Sequence, residues 1–155
     1  MTDVHTTLTD MERVLFLRRV SLFAELPPRD LAHISAVAAE RTFTDGETIA
    51  GQGESGDEMH IVVSGRVRVL RAGPGSGSAS GAEAELAVRT EGDVVGEMAL
   101  ITREPRMASL VADGEARTLQ VGRREFEGVL RERPDTAIAL IRILSHRLAE
   151  SGSTG

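Results

Sequence analysis

Residues 96–112 read GEMALITREPRMASLVA, and the fold turns on how one arginine in this stretch is read. Arg106 precedes an apolar run, Met107-Ala108-Ser109-Leu110-Val111-Ala112, with the texture of a strand entering a core. Ten residues earlier, Gly96-Glu97 opens a second apolar run, Met98-Ala99-Leu100-Ile101. A guanidinium beside a core strand needs a partner, because an unpaired buried charge is costly. That partner is either a side chain of the protein or a bound anion.

Outward from this stretch the chain changes texture twice. Leu8, Met11, Val14 and Leu15 share one helical face, and after Pro27-Pro28 a second helix opens near Asp30 with Leu31, Ile34, Val37 and Ala38 at helical spacing. From Arg41 onward β-like runs alternate with glycine turns: TFTDGETIA (42–50), EMHIVVSGRVRVLRAG (58–73), AELAVRTEGDVV (84–95) and ASLVADGEARTLQV (108–121). Asp45-Gly46, Ser64-Gly65 and Asp113-Gly114 read as hairpin turns between strands. In GRVRVLR, Arg66 and Arg68 alternate outward with Val67 and Val69 inward. The Gly/Ser-rich residues 73–85 read as a mobile surface loop joining two strands, without chemistry. After Val121 the pattern is helical again: one helix stops near Pro134, and the next has Asp135 as N-cap.

The expected architecture is therefore mainly β with flanking α. About eight short strands with frequent turns suggest a sandwich or small barrel, between N-terminal helices and two C-terminal helices. Residues 1–40 are expected to form an N-terminal helical segment, 41–122 the β part, 123–150 the C-terminal helices, and 151–155 a tail, all of one domain.

Composition narrows the function. With 155 residues the chain can bury one substantial core. The net charge of -6 argues against a general nucleic-acid or anionic-membrane surface. All 18 basic residues are arginine, so arginine abundance by itself carries no signal. With no cysteine, disulfides, thiol catalysis and cysteine-ligated metal are excluded. No apolar run approaches the roughly 18 residues of a membrane span, and the N-terminus lacks secretory order, so a cytoplasmic location is expected. The ending AESGSTG reads as a linker or a cut, making this one module of something longer.

The candidate site lies at the opening stretch. A short helix beginning near Gly96 would present free N–H groups to an anion. Arg106 adds a bidentate donor suited to phosphate, and Glu97 an acceptor for sugar hydroxyls. Together they describe a pocket for one phosphate and one ribose. His60, a lone histidine in GDEMHIVVSG, reads as a structural residue and not as a metal ligand, because His5, His33 and His146 are scattered. No His/Asp constellation accompanies any serine, so the chain is not expected to be an enzyme.

These residues carry a resemblance. VSLFAEL (20–26), FTDGETIAGQGESGDEMHIVVSGRVRV (43–69), EGDVVGEMAL (91–100) and PRMAS (105–109) together resemble the cyclic nucleotide-binding domain family. That family includes catabolite-activator regulators, protein kinase A regulatory subunits and nucleotide-gated channels, and the resemblance runs over roughly residues 10–150. It implies an antiparallel β-roll (jelly-roll barrel) over residues 41–122 with N-terminal helices, a short phosphate-binding helix and two C-terminal hinge and lid helices over 123–150. It also implies a phosphate-binding cassette at about 92–109. There Gly96 and the amides of Met98 and Ala99 hold the cyclic phosphate, Glu97 takes the ribose 2′-hydroxyl, and Arg106 pairs with the phosphate. Met107 and Ala108 complete the set. Val95 stands where the family usually has Phe, and Met107 where it usually has Ala, Ser or Thr. A hydroxyl at that position favours guanine in cGMP-selective members, so cAMP is expected over cGMP.

In relatives the last helix swings over the pocket; here its polar candidates for a base contact are Arg142 and Ser145, beside Val95. Ala137, Leu140, Ile141, Leu144 and Leu148 form its apolar stripe, widened by Ile138 and Ile143, leaving room for a lid or for a second copy in a homodimer. The resemblance implies a sensor that binds a small cyclic nucleotide and passes the event to an output domain or partner. With no winged helix-turn-helix after residue 150, no direct DNA binding is expected. The alternative is a ligand-free member serving interaction or dimerisation, with Met107 filling the pocket.

Overall fold

A computed structural model describes residues 8–20, 23–73, 83–96 and 102–153. They form two compact units, residues 39–123 and residues 1–38 with 124–155.

The first unit is one antiparallel sheet of six strands: β1 (Ala39–Phe43), β2 (Thr48–Ala50), β3 (Glu58–Ala72), β4 (Glu83–Arg89), β5 (Val94–Val95) and β6 (Ser109–Gly122). The hydrogen-bonded order is β1-β6-β3-β4, with β2 on β6 and β5 on β3. The long β3–β6 ladder is its spine, from Glu58 opposite Gly122 to Leu70 opposite Ser109. The sheet is an antiparallel roll, but it does not close into a barrel.

Two expected hairpin turns are instead bends within single strands. Gly65 (φ 85°) lies inside β3 and Gly114 (φ 76°) inside β6, and the ladder shifts register on both sides of Ser64. A side chain at Gly65 would strike the Glu115 carbonyl and Ala116 Cα, so glycine alone permits this close crossing. Two pairs of expected short strands thereby become two long bent ones. Asp45-Gly46 does turn between β1 and β2, and the Asp45 carboxylate accepts from the Gly114 N–H at 2.7 Å. β4 begins at Glu83, inside the stretch expected to be loop; residues 74–82 lie outside the described residues.

Alternation builds the core. Val67 is fully buried and Val69 partly so, while Arg66 and Arg68 face out to Asp113 and Glu85. Phe43, Ala50, Val62, Val67, Val95, Leu110, Ala112 and Ala116 form one apolar cluster. Each large side chain among them contributes about 1.5–3 kcal/mol by leaving water.

The second unit holds α1 (Asp10–Leu17), α2 (Pro28–Val37), most of α3 (Arg123–Glu132) and α4 (Pro134–Ser153). Thr9 and Glu12 make a reciprocal capping box at the start of α1. Arg13 donates to the Ser35 and Ala38 carbonyls at the end of α2, at 3.0 and 2.8 Å. The buried residues of α1 are Phe16 and Leu17, whereas Met11 and Leu15 of the expected apolar face are exposed.

α3 stops just short of Pro134, as expected: only Arg133 separates it from α4, and Pro134 is the first residue of α4. Its fixed φ and missing N–H suit the first turn of a helix, so Asp135 sits inside that turn and is not the cap. Among the described side chains of α4, Thr136, Leu140 and Ile143 are buried, Ala137 and Leu144 half-buried, and Ile138 and Ile141 exposed; Leu148 of the expected stripe is not among them. Within this unit Asp30 is buried and accepts from Arg133 at 3.1 Å. No helix among the described residues is long and apolar enough to cross a membrane.

Candidate functional site

The site is assembled where β3 begins. Glu58 opens that strand, His60 and Ile61 pair with Val95 and Val94 of β5, and β5 leads into Gly96. Gly96 has φ 86°, a left-handed conformation open to glycine at little cost. A Cβ there would lie 2.6 Å from Arg106 Nη1 and 3.1 Å from the Glu58 carbonyl oxygen. Glycine is thus required twice, by its backbone angle and by the guanidinium against it.

Arg106 is held at both ends. Its N–H donates to the Glu54 carbonyl at 2.9 Å, and its carbonyl accepts from the Gly53 N–H at 2.8 Å. Its side chain is buried, and Nη2 donates to the Glu58 carbonyl at 2.6 Å. That neutral oxygen is the only hydrogen-bond partner of the guanidinium among the described residues, where no carboxylate reaches ion-pair distance of it. Burial pushes its pKa down, against the opposing pull of the Glu58, Glu54 and Asp57 charges. An arginine stays protonated through such a shift, so the result is a desolvated cation with donor capacity to spare.

The surrounding loop is fixed by another arginine. Arg123 donates to the Asp57 carboxylate at 2.9 Å and to the Gly56 carbonyl at 2.7 Å, next to Glu58. Arg106 and Gly96 line a cavity of about 220 Å³ together with Val69, Val94, Val95 and Leu110. Thr102, Glu104, Pro105, Met107, Ala108 and Arg89 also line it. The structure thus brings Val95, Gly96, Arg106, Met107 and Ala108 to one cavity. Met107 is 68% exposed, so the ligand-free alternative loses its filled pocket. Glu97, Met98 and Ala99, and with them the expected short helix, lie outside the described residues. Arg142 and Ser145 are exposed on α4.

His60 is fully buried beneath the site. Its Nδ1 lies 2.9 Å from Thr118 Oγ1, and its ring meets Phe43 edge-on at 5.9 Å. Burial, and then the Arg106 and Arg41 charges, lower its pKa to about 4.

Sequence reasoning missed Glu58, Arg123 and Arg89. Glu58 acts through a carbonyl, which every residue has, so nothing in its identity marks it. Arg89 and Arg123 were hidden among 18 arginines.

Residues 40–133 match the family model described as the cyclic nucleotide-binding domain, and the chain belongs to that family. It is 27% identical over 137 residues to the CRP-like cAMP-activated global transcriptional regulator of Mycobacterium tuberculosis. That match covers 88% of this chain and 59% of the regulator, so the chain spans little more than half the length of this relative. Among solved structures it is similar to the N-terminal domain of a transcriptional regulator from Streptomyces coelicolor, with a TM-score of 0.78 and 32% identity over 89% of this chain and 95% of that one. It is also similar to the regulatory domain of Toxoplasma gondii PKA with cAMP, with a TM-score of 0.76 and 27% identity over 91% of this chain and 50% of that one.

Proposed function

We propose that this chain is a cyclic nucleotide sensor and not an enzyme, binding cAMP in preference to cGMP. The observation that carries the reading is Arg106, a buried cation with a single, neutral hydrogen-bond partner among the described residues, set against Gly96 at the wall of a cavity. A cyclic phosphate supplies the anion such a group lacks. Glu97 takes the ribose hydroxyl, and the amides of Met98 and Ala99 join Gly96 at the phosphate. Met107 offers guanine no hydroxyl, and the cAMP named for two of the relatives supports the same choice.

Binding favours one arrangement of the cassette and the C-terminal helices, and an attached domain or partner reads the shifted population. Arg142 and Ser145 of α4 are the polar groups offered to the base, and the exposed Ile138 and Ile141 are offered to a second copy. The location consistent with this role is the cytoplasm. A ligand panel of cyclic and linear nucleotides tests the reading. Saturable binding of cAMP but not of linear AMP is expected, and equal response to both overturns it.

A further inference from the structure

Three carboxylates stand close enough for their charge to act on Arg106: Glu58, Glu54 and Asp57. None reaches it as an ion pair among the described residues, because each is taken by another donor. The Gly51 N–H donates to Glu54 Oε1 at 2.9 Å, and Gln120 Nε2 donates to Glu58 Oε2 at 3.2 Å. Arg123 Nη1 donates to Asp57 Oδ1 at 2.9 Å. Of these three ties only the last is made by a charged group, and it holds the one carboxylate on the residue just before Glu58.

Arg123 grips that segment at two further points. Its backbone N–H donates to the Asp57 carbonyl at 2.7 Å, and its Nη2 to the Gly56 carbonyl at 2.7 Å. It follows Gly122, which stands opposite Glu58 in the β3–β6 ladder, and it is not among the residues that line the cavity. Its side chain is half-buried, whereas Asp57 is exposed and so has room to turn. Released from Arg123, Asp57 would face a desolvated guanidinium with donors to spare, and such a pair is strongly attractive.

We propose that Arg123 is a positioning residue for the anion site: by holding the Asp57 carboxylate it keeps that carboxylate off Arg106 and leaves the guanidinium open to a phosphate. This rests on the cyclic-nucleotide reading above and adds to it what excludes an internal anion from the clamp. An internal carboxylate competes with the ligand for one cation. Were Asp57 to hold Arg106 nine-tenths of the time, the apparent affinity for cAMP would fall about tenfold.

The test is calorimetric titration of cAMP into the full chain and into Arg123→Gln, Arg123→Lys, Asp57→Asn and the double variant Asp57→Asn/Arg123→Gln, with urea denaturation of each in parallel. Arg123→Gln should lower cAMP affinity about tenfold. The double variant should recover to within about threefold of the parent, because the freed side chain then carries no charge to compete. A purely structural role for Arg123 predicts no such recovery, since the double variant restores none of the bonds to residues 56 and 57. Arg123→Lys keeps a cation beside Asp57 but not the fork to Gly56, and should stay within about threefold. Unchanged affinity in Arg123→Gln, or a loss that the double variant does not recover, overturns the proposal alone. Should Arg123→Gln fail to fold, a tenfold loss in a folded Arg123→Lys overturns it instead. A parent that binds no cyclic nucleotide removes both the proposal and the functional reading.

Discussion

Replacing Gly96 by alanine separates the two demands made on that glycine. The backbone demand is the left-handed φ of 86°, which costs an L-residue about 1–2 kcal/mol. The second demand is space, because the new Cβ would lie 2.6 Å from Arg106 Nη1 and 3.1 Å from the Glu58 carbonyl oxygen. The guanidinium is the softer neighbour and gives way, losing its 2.6 Å bond to Glu58. A hydrogen bond to a charged group is worth about 1.5–3 kcal/mol. Gly96→Ala should therefore destabilise the chain by about 2.5–5 kcal/mol.

Gly92 supplies the control, since it has φ 90° and open space where its Cβ would go. Gly92→Ala should cost the backbone part alone, about 1–2 kcal/mol. Urea denaturation with a common m-value measures both. In an Arg106→Leu background the excess cost of Gly96→Ala should shrink toward that of Gly92→Ala. Equal costs for the two glycine variants in the parent would refute the claim that Gly96 is required by Arg106.

His60 should make the fold sensitive to acid in a defined window. Its folded pKa of about 4 lies below the unfolded 6.5, so above pH 6.5 neither state is protonated there. As pH falls from 6.5 toward 4 the unfolded chain takes up a proton that the folded chain refuses, and stability falls by about 3 kcal/mol. His60→Gln should flatten this part of the urea-midpoint profile, and an unchanged slope would contradict the assignment. Gly65→Ala, with a left-handed φ and backbone atoms of Glu115 and Ala116 in the way, should cost more than about 3 kcal/mol. Gly114→Ala, in open space, should cost only about 1–2 kcal/mol by the same denaturation assay.

The parts of the fold legible in the sequence were those where one residue's chemistry settles its place. Val67 and Val69 point inward between Arg66 and Arg68 because strand side chains alternate, and no other element is needed to see it. Gly96 and Arg106 were legible because a positive-φ glycine and a guanidinium near a core strand each demand an explanation. The strand count was not legible, because a left-handed glycine reads alike in a hairpin turn and in a bulge. Only the crossing of β6 over Gly65 decides between them. The buried residues of α1 were misjudged because Met11 and Leu15 form an apolar stripe as plausible as the Phe16 and Leu17 that are buried. The partner of Arg106 was out of reach for a different reason. It is a backbone carbonyl 48 positions away in sequence, brought there by the opening of β3.

Arg106 stands at the centre of the functional reading, as half of an anion clamp for a cyclic phosphate. Calorimetric titration of cAMP and linear AMP into the parent and into Arg106→Gln tests that role most directly. Saturable cAMP binding to the parent is expected, with none or far weaker binding of linear AMP. The variant should lose cAMP affinity by about tenfold or more while its apo fold persists. Undiminished cAMP binding to Arg106→Gln, or no cAMP binding to the parent at millimolar ligand, would contradict it.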